Sequence, residues 1–215
     1  MPAIPSLNDL GVLHNTDKSS SAHNYLNAYQ HFLAPFKDKT LDLVEIGIFN
    51  GGSAKMWLDY FQNATIHCID IDPSRANSIT HPRYKGYAVD HGDIRKITRT
   101  ISGINPTVLI DDGSHFWEHQ IITLLKLAPL VREKGVVIVE DLEVNYPPLE
   151  ATYSQGLSQK PVDLILEMSR SVASGGLDHH AYTNPIAARA YKLYSSITCI
   201  KHSLIACRSG YYDSL

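Results

Sequence analysis

The chain has 215 residues, of which 44% are hydrophobic and 19% charged, and its formal net charge is -3. This composition is typical of a soluble globular protein, and the small negative charge gives no electrostatic basis for binding nucleic acid or an anionic membrane. The start lacks a basic segment followed by an apolar core, and no apolar run reaches the roughly 20 residues of a membrane span. The three cysteines form no C-x-x-C pair. We therefore predict a cytoplasmic protein with no nucleic-acid or membrane partner.

The length suits a single domain, and we expect residues 1–40 to form a helical cap or lid segment on a core of residues 41–215. Two prolines and a glycine predict an irregular start over residues 1–20. Ser20 or Ser21 is expected to cap the helix that follows. Its apolar face has the helical spacing of three and four, with Tyr25, Leu26, Tyr29, Phe32, Leu33 and Phe36.

The core alternates apolar strand-like runs with helices. Five such runs cover residues 41–46, 65–72, 84–89, 108–110 and 136–139, and helices are expected between them and over residues 161–172. Residues 142–160 and 173–185, including His179 and His180, are expected to be loops. Two further alternating runs, residues 195–201 and 204–208, predict a terminal hairpin. The order predicts an α/β fold: a doubly wound, Rossmann-like, seven-stranded sheet, mostly parallel, with one antiparallel strand in the C-terminal hairpin.

The first strand runs into a glycine-rich turn, Gly47 to Ser53, and then a helix. Strand, glycine turn and helix are the opening of a nucleotide-binding βαβ unit, because glycine lets the backbone approach a ligand and the helix start presents free N–H groups. The spacing is not the dinucleotide pattern, and a glycine turn alone is a weak signal. Asp70, about 20 residues further on, has the position of a ribose-binding carboxylate, and Asp72 that of a helix cap.

Two later strands end in paired acids. Asp111 and Asp112 follow the run that starts at Val108, with His115 close behind, and Glu140 and Asp141 follow the run that starts at Val136. Carboxyl ends of neighbouring parallel strands meet at one edge of a sheet, so the acids and the imidazole are expected to converge. This predicts a divalent cation with a base beside it. The alternative is a helix cap for Asp111 and Asp112 and a surface position for His115.

Seven strands with a terminal hairpin, Glu-x-Gly after strand one and an acid after strand two resemble the class I S-adenosylmethionine-dependent methyltransferases. Further motifs resemble the metal-dependent sugar O-methyltransferases of macrolide biosynthesis, the mycinamicin and macrocin type. These motifs are Asn15-Thr-Asp-Lys18 with His23 and Tyr25, Glu45-Ile-Gly47 with Gly51-Gly-Ser53, Ile69-Asp-Ile-Asp72, Ile110-Asp-Asp-Gly-Ser-His115 and Val139-Glu-Asp-Leu142.

The resemblance implies roles for these residues. Mg²⁺ would be held by Asp112, Glu140 and Asp141, with His115 as the catalytic base. S-adenosyl-L-methionine would be held by a larger set: Thr16, Lys18, Glu45, Gly47, Gly51, Ser53, Asp70, Asp93 and Asp111. The alternative for Asp111 is a purely structural role. The segment from Asn15 to Tyr25 would close over cofactor and acceptor.

The chemistry of the residues agrees with that resemblance. Oxygen ligands suit Mg²⁺, a cation lowers the pKa of a bound hydroxyl, and a nearby imidazole can take the proton. Two adjacent hydroxyls could chelate one ion, so the expected partner is a small-molecule acceptor, a glycosylated natural product or other vicinal diol. A catechol-like phenol and a cofactor-binding module that transfers nothing are the alternatives. The assembly state is open between a monomer and a homo-oligomer.

Overall fold

A computed structural model describes residues 5–178 and 181–211, so the expected loop residues His179 and His180 lie outside the described part. Its centre is a sheet of seven strands. These are β1 (Asp42–Ile46), β2 (Thr65–Asp70), β3 (Tyr84–Ala88), β4 (Val108–Asp111), β5 (Val136–Val139), β6 (Tyr194–Ile200) and β7 (Ser203–Arg208). Their spatial order is β3-β2-β1-β4-β5-β7-β6. This order confirms the predicted Rossmann-like fold, in which the chain winds outward from β1 in both directions.

Strand direction sets up the edge where the acids lie. Strands β1 to β5 pair in parallel, β7 runs antiparallel to β5, and β6 is antiparallel to β7. Ile46 is level with Asp111, and Asp111 is level with Val139. The residues that leave β1, β4 and β5 therefore emerge side by side. Every residue of β4 and β5 is buried. This agrees with their unbroken apolar runs, which predict strands that are covered on both faces.

Helices cover both faces of the sheet. They are α1 (Leu7–Leu13), α2 (Leu26–Leu33), α3 (Gly52–Tyr60), α4 (Pro73–Ala76), α5 (Ile94–Ile104), α6 (Trp117–Ile122), α7 (Glu150–Tyr153) and α8 (Pro161–Ser174). Helix α6 continues through a π-helical turn, Thr123–Leu127, and a 3₁₀ turn, Ala128–Leu130. Two hydrophobic clusters result, one around Trp57 under α1 to α3, the other around Leu164 under α5, α6 and α8.

The N-terminal segment differs from the expectation. Residues 1–20 were expected to be irregular, yet they contain α1, which Ser6 and Asp9 start with a reciprocal capping box. Gly11 lies inside this helix and does not break it. A Cβ at this position would come within 2.2 Å of Leu26 Cδ1, so the small size of glycine is what lets α1 and α2 approach each other. The expected serine cap of α2 is also wrong. That helix starts after Tyr25 without a side-chain cap.

The segment from 142 to 160, expected to be a loop, holds the 3₁₀ turn Leu142–Asn145 and the short helix α7. A further 3₁₀ helix, Ala187–Lys192, precedes β6. The predicted runs 195–201 and 204–208 put the hairpin turn at His202 and Ser203. The turn falls one residue earlier, at Lys201 and His202, and His202 has φ 59°. Among the described residues, none of the helices has the length and apolar character needed to cross a membrane.

Candidate active site

The acids predicted from the strand ends meet at one cavity. The N–H of Asp112 donates to the Ile46 carbonyl at 2.9 Å, and the N–H of Glu140 donates to the Asp111 carbonyl at 3.0 Å. These bonds extend the sheet pairing past the last strand residues, so the acids keep the register of β1, β4 and β5. A cavity of about 650 Å³ opens there, and its lining includes Gly47, Asp70, Asp112, His115 and Asp141.

Asp112, His115 and Asp141 form a compact trio. One ligand atom of each lies within 4.8 Å of the others, and His115 Nε2 is 3.2 Å from Asp141 Oδ2. Backbone geometry aims two of these side chains, because His115 has φ 60° and Asp141 has φ 57°, both in the left-handed region. Such conformations cost about 1–3 kcal/mol each for residues other than glycine, and they concentrate at functional sites.

Lys18 lies below this trio, buried to 1% exposure. Its ammonium contacts Asp112 Oδ2 and lies 2.8 Å from Glu140 Oε2. Burial alone lowers the pKa of an ammonium, but the surrounding carboxylates outweigh it and hold the pKa of Lys18 well above its usual value. Burial also raises the pKa of Asp112 and of Glu140, and Lys18 opposes both shifts.

The donor set fits a divalent cation. Two partly exposed carboxylates and one imidazole converge in the trio, and the second oxygen of Glu140, Oε1, is buried without a hydrogen-bond partner among the described residues. A buried carboxylate oxygen without a partner is costly unless a cation satisfies it. Oxygen-rich sets of this kind suit Mg²⁺ or Mn²⁺. The ligand roles predicted for Asp112, Glu140 and Asp141 remain predictions.

At the other end of the cavity, the carboxylate of Asp70 has its hydrogen-bond partners within the chain. Asp70 accepts the N–H of Ile48 at 3.1 Å and that of Asp72 at 2.9 Å. Gly47 has φ 93°, and a Cβ there would come within 1.9 Å of the Asp112 carbonyl oxygen. The turn after β1 can therefore pass close to the end of β4 only with glycine at this position.

No family model matches this chain. It is 34% identical over 67% of its length to an 8-demethyl-8-alpha-L-rhamnosyl tetracenomycin-C 2'-O-methyltransferase from Streptomyces olivaceus, and covers 40% of that protein. It is 32% identical over 68% of its length to a demethylmacrocin O-methyltransferase from Streptomyces fradiae, and covers 38% of that one. The resemblance to sugar O-methyltransferases is thus confirmed. The chain spans about two fifths of the length of these relatives.

A solved structure supports the same fold. The MycE methyltransferase of the mycinamycin biosynthetic pathway, in complex with Mg and SAH, superposes with a TM-score of 0.81 at 21% identity, over 96% of this chain and 54% of that one. At this identity the likeness shows the fold alone. Together with the strand order, it confirms the class I methyltransferase fold expected from the sequence.

Glu45, the penultimate residue of β1, lies behind the cavity of this methyltransferase fold. It is fully buried and accepts from Ser53 Oγ at 2.8 Å and from Trp57 Nε1 at 3.2 Å. Burial raises its pKa to about 7, Asp112 adds to the rise, and Lys18 opposes it. Glu45 and Ser53 thus fasten the start of α3 to β1, and neither is among the residues that line the cavity.

The remaining residues predicted for the cofactor fall in two places. Gly47 and Asp70 line the cavity, whereas Thr16, Lys18, Gly51 and Asp111 are buried and outside its lining. Asp93 caps α5 by accepting the N–H of Lys96 at 3.0 Å, and it is exposed and outside the lining.

Sequence reasoning missed Asp90 and His91, which line the cavity just before Asp93. The available signal was the turn after β3. In a parallel sheet, the residues that leave a strand first are the ones nearest the ligand edge. That rule favours Asp90 and His91 over Asp93, whose carboxylate serves the helix cap.

Proposed function

We propose that this chain is an S-adenosyl-L-methionine-dependent and Mg²⁺-dependent O-methyltransferase that acts on a hydroxyl of a sugar or another small natural product. The observation that carries the proposal is the trio of Asp112, His115 and Asp141, which faces the same cavity as Asp70. The relatives named for O-methylation of glycosylated antibiotics support the reaction class.

The cofactor would lie at the end of the cavity formed by Gly47 and Asp70. When bound, S-adenosyl-L-methionine supplies an electrophilic methyl group on its sulfonium. Asp70 is fixed by two backbone N–H groups, so its carboxylate can accept ribose hydroxyls without moving. Gly47 lets the backbone run close beneath the ligand.

His115 would take the proton from the acceptor hydroxyl. Its Nε2 lies 3.2 Å from Asp141 Oδ2, so Asp141 orients the ring. Asp112 and Asp141, with Glu140, would hold Mg²⁺, which lowers the pKa of a hydroxyl when bound. The acceptor oxygen would then be held between this trio and the cofactor end of the cavity.

Aromatic rings support an acceptor with an apolar face. The Tyr153 ring centroid lies 6.4 Å from that of His115 and 6.1 Å from that of Phe116. Such rings stack on the C–H face of a sugar or on a planar aglycone. The likeness to a rhamnosyl tetracenomycin methyltransferase favours a glycoside with adjacent hydroxyls as the small-molecule partner.

The N-terminal segment is proposed to close one side of this site. Tyr25 Oη donates to Asp141 Oδ1 at 3.2 Å, and Lys18 reaches Asp112 and Glu140. These contacts support the predicted division into a cap, residues 1–40, and a core, residues 41–215, which remains a proposal.

The test is formation of S-adenosylhomocysteine from S-adenosyl-L-methionine with an aryl α-L-rhamnoside as acceptor. Turnover should stop with EDTA and return with Mg²⁺, and it should be lost in His115→Ala. Catechol serves as the comparison acceptor. If catechol is methylated in preference to the rhamnoside, the proposed acceptor class is a phenol and not a sugar. Turnover that survives both chelation and His115→Ala would reject the mechanism.

A further inference from the structure

Lys18 brings a positive charge to the centre of the acids from outside the sheet. Its Nζ contacts Asp112 Oδ2 and lies 2.8 Å from Glu140 Oε2 and 3.8 Å from Glu45 Oε1. The three carboxylates leave the ends of β4, β5 and β1. A single ammonium therefore joins three neighbouring strands and is 1% exposed to solvent.

The backbone holds Lys18 in this position. The N–H of Tyr25 donates to the Lys18 carbonyl at 2.9 Å, and the N–H of His23 donates to the Asp17 carbonyl at 2.9 Å. These bonds close residues 17–25 into a compact turn, which is tied to the acids a second time through Tyr25 and Asp141. The ammonium is therefore fixed by the fold and is not a mobile surface charge.

We propose that the Lys18 ammonium is a fixed second cation of this acid cluster, in the place that a second divalent ion takes in two-metal sites. The inference rests on the proposed function, because the first cation is Mg²⁺ at Asp112, Glu140 and Asp141. In two-metal sites the ions lie about 3.5–4 Å apart and share carboxylate ligands. Asp112 is shared in the same way, since it contacts Lys18 and also belongs to the trio with His115.

Charge explains why a fixed cation is useful here. Glu45, Asp112, Glu140 and Asp141 bring four carboxylates together, and buried carboxylates are costly without positive partners. One divalent ion and one ammonium offset three of the four charges. An ammonium is a compact point charge without strict geometry, so it can hold Asp112 and Glu140 while their other oxygens stay free for Mg²⁺. Lys18 is thus a positioning residue that limits the site to one metal ion.

The test counts bound Mn²⁺ per chain in cofactor-free protein, by electron paramagnetic resonance of the free ion. The wild type should bind one ion, Lys18→Ala two, and Lys18→Arg one, because arginine restores the fixed charge. Propylammonium added to Lys18→Ala should return the count to one. A purely structural role for Lys18 would change the melting temperature but not the number of ions.

Two ions in the wild type would overturn the proposal, and His23, Asp141 and Glu143, whose ligand atoms also lie within 4.8 Å of one another, are where the second would bind. One ion in both the wild type and folded Lys18→Ala would overturn it too, while leaving the magnesium site intact. No ion in the wild type but one in Lys18→Ala would overturn the proposal as well, because Lys18 would then be the first cation of the site, and it would also remove Mg²⁺ from the proposed function.

Lys18→Ala also allows a folding test, because it leaves the buried Glu45 and Glu140 and the partly exposed Asp112 without their ammonium. If the variant is unfolded in metal-free buffer, Mn²⁺ should restore its circular dichroism spectrum with two ions bound. Failure of Mn²⁺ to restore the spectrum would overturn the proposal.

Discussion

The carboxylates at and behind the two ends of the cavity differ in how they are satisfied. At the ends of β1 and β2, Glu45 and Asp70 accept hydrogen bonds from the chain itself. At the ends of β4 and β5, Glu140 Oε1 and Asp111 Oδ2 are buried without hydrogen-bond partners among the described residues. The first end is complete in the protein alone, whereas the second is built to receive positive charge, partly from Lys18 and partly from outside.

Replacing His115 should give the largest effect, because it removes the base at the second end and leaves the first untouched. We expect His115→Ala to lower kcat about 10²- to 10⁴-fold, the usual contribution of a positioned base. The measurement is the initial rate of S-adenosylhomocysteine formation at saturating substrates. His81→Ala is the matched control, since His81 lies away from this cavity, and it should keep the wild-type rate.

The affinity of His115→Ala for S-adenosylhomocysteine should be unchanged in isothermal titration calorimetry. A large loss of that affinity would show that the two ends do not act separately, and the comparison above would fail. A normal rate would remove His115 from the chemistry.

Gly47→Ala should have the next largest effect, because Gly47 is where the two ends touch. An added Cβ would come within 1.9 Å of the Asp112 carbonyl oxygen, and φ is 93°. We expect a loss of about 3 kcal/mol in the free energy of unfolding, measured by urea denaturation. Gly103→Ala is the control, because nothing lies within 4 Å of its added Cβ. Gly103 lies in the last turn of α5, where alanine should stabilise by at most about 0.5 kcal/mol. Equal stability of the two variants would contradict the close packing at Gly47.

The sheet and its acids could be predicted because they depend on local pattern. Apolar runs such as the one starting at Val136 predict buried strands. The residue that follows a strand in a parallel sheet must lie at the edge of the sheet where ligands bind. Asp112, His115 and Asp141 therefore converge as the sequence analysis expected. The assignment of Asp70 to the cavity follows from the same rule.

Lys18 could not be placed in this way. Its contacts with Asp112 and Glu140 join residues 94 and 122 positions apart, and no periodicity encodes a pairing of that range. Helix α1 was missed for a different reason. Ser6 and Asp9 carry a capping signal, but Gly11 was taken as a breaker, and only tertiary packing against Leu26 shows why glycine is needed there.

A pH series on Glu45 tests whether the first end is as complete as its hydrogen bonds indicate. Burial raises the pKa of Glu45 from 4.5 to about 7 in the folded protein. A raised pKa contributes stability that is fully present below pH 4.5 and is lost as the pH rises through about 7. Urea denaturation from pH 4 to 8 should show that Glu45→Gln lacks this loss, so the two stability curves should diverge by on the order of 3 kcal/mol across the window.

The exposed Glu133→Gln is the control for this series and should follow the wild-type curve. Parallel curves for the wild type and Glu45→Gln would mean that Lys18 keeps Glu45 ionised throughout. The first end would then depend on the same cation as the second, and the contrast between them would weaken.

The smallest expected effect, in Asp70→Asn, separates the two ends most directly. Asparagine offers one acceptor oxygen where Asp70 now accepts two N–H groups, so the ribose-facing group should be less well held. We expect about a tenfold weaker Kd for S-adenosylhomocysteine, roughly 1.4 kcal/mol, by isothermal titration calorimetry. The rise in Tm on adding Mg²⁺ should stay as in the wild type. Asp141→Asn should do the reverse, keeping the Kd and losing the Mg²⁺-dependent rise in Tm. If either variant changes both quantities, cofactor and cation do not bind independently, and the division of the cavity into a finished end and a cation-requiring end is wrong.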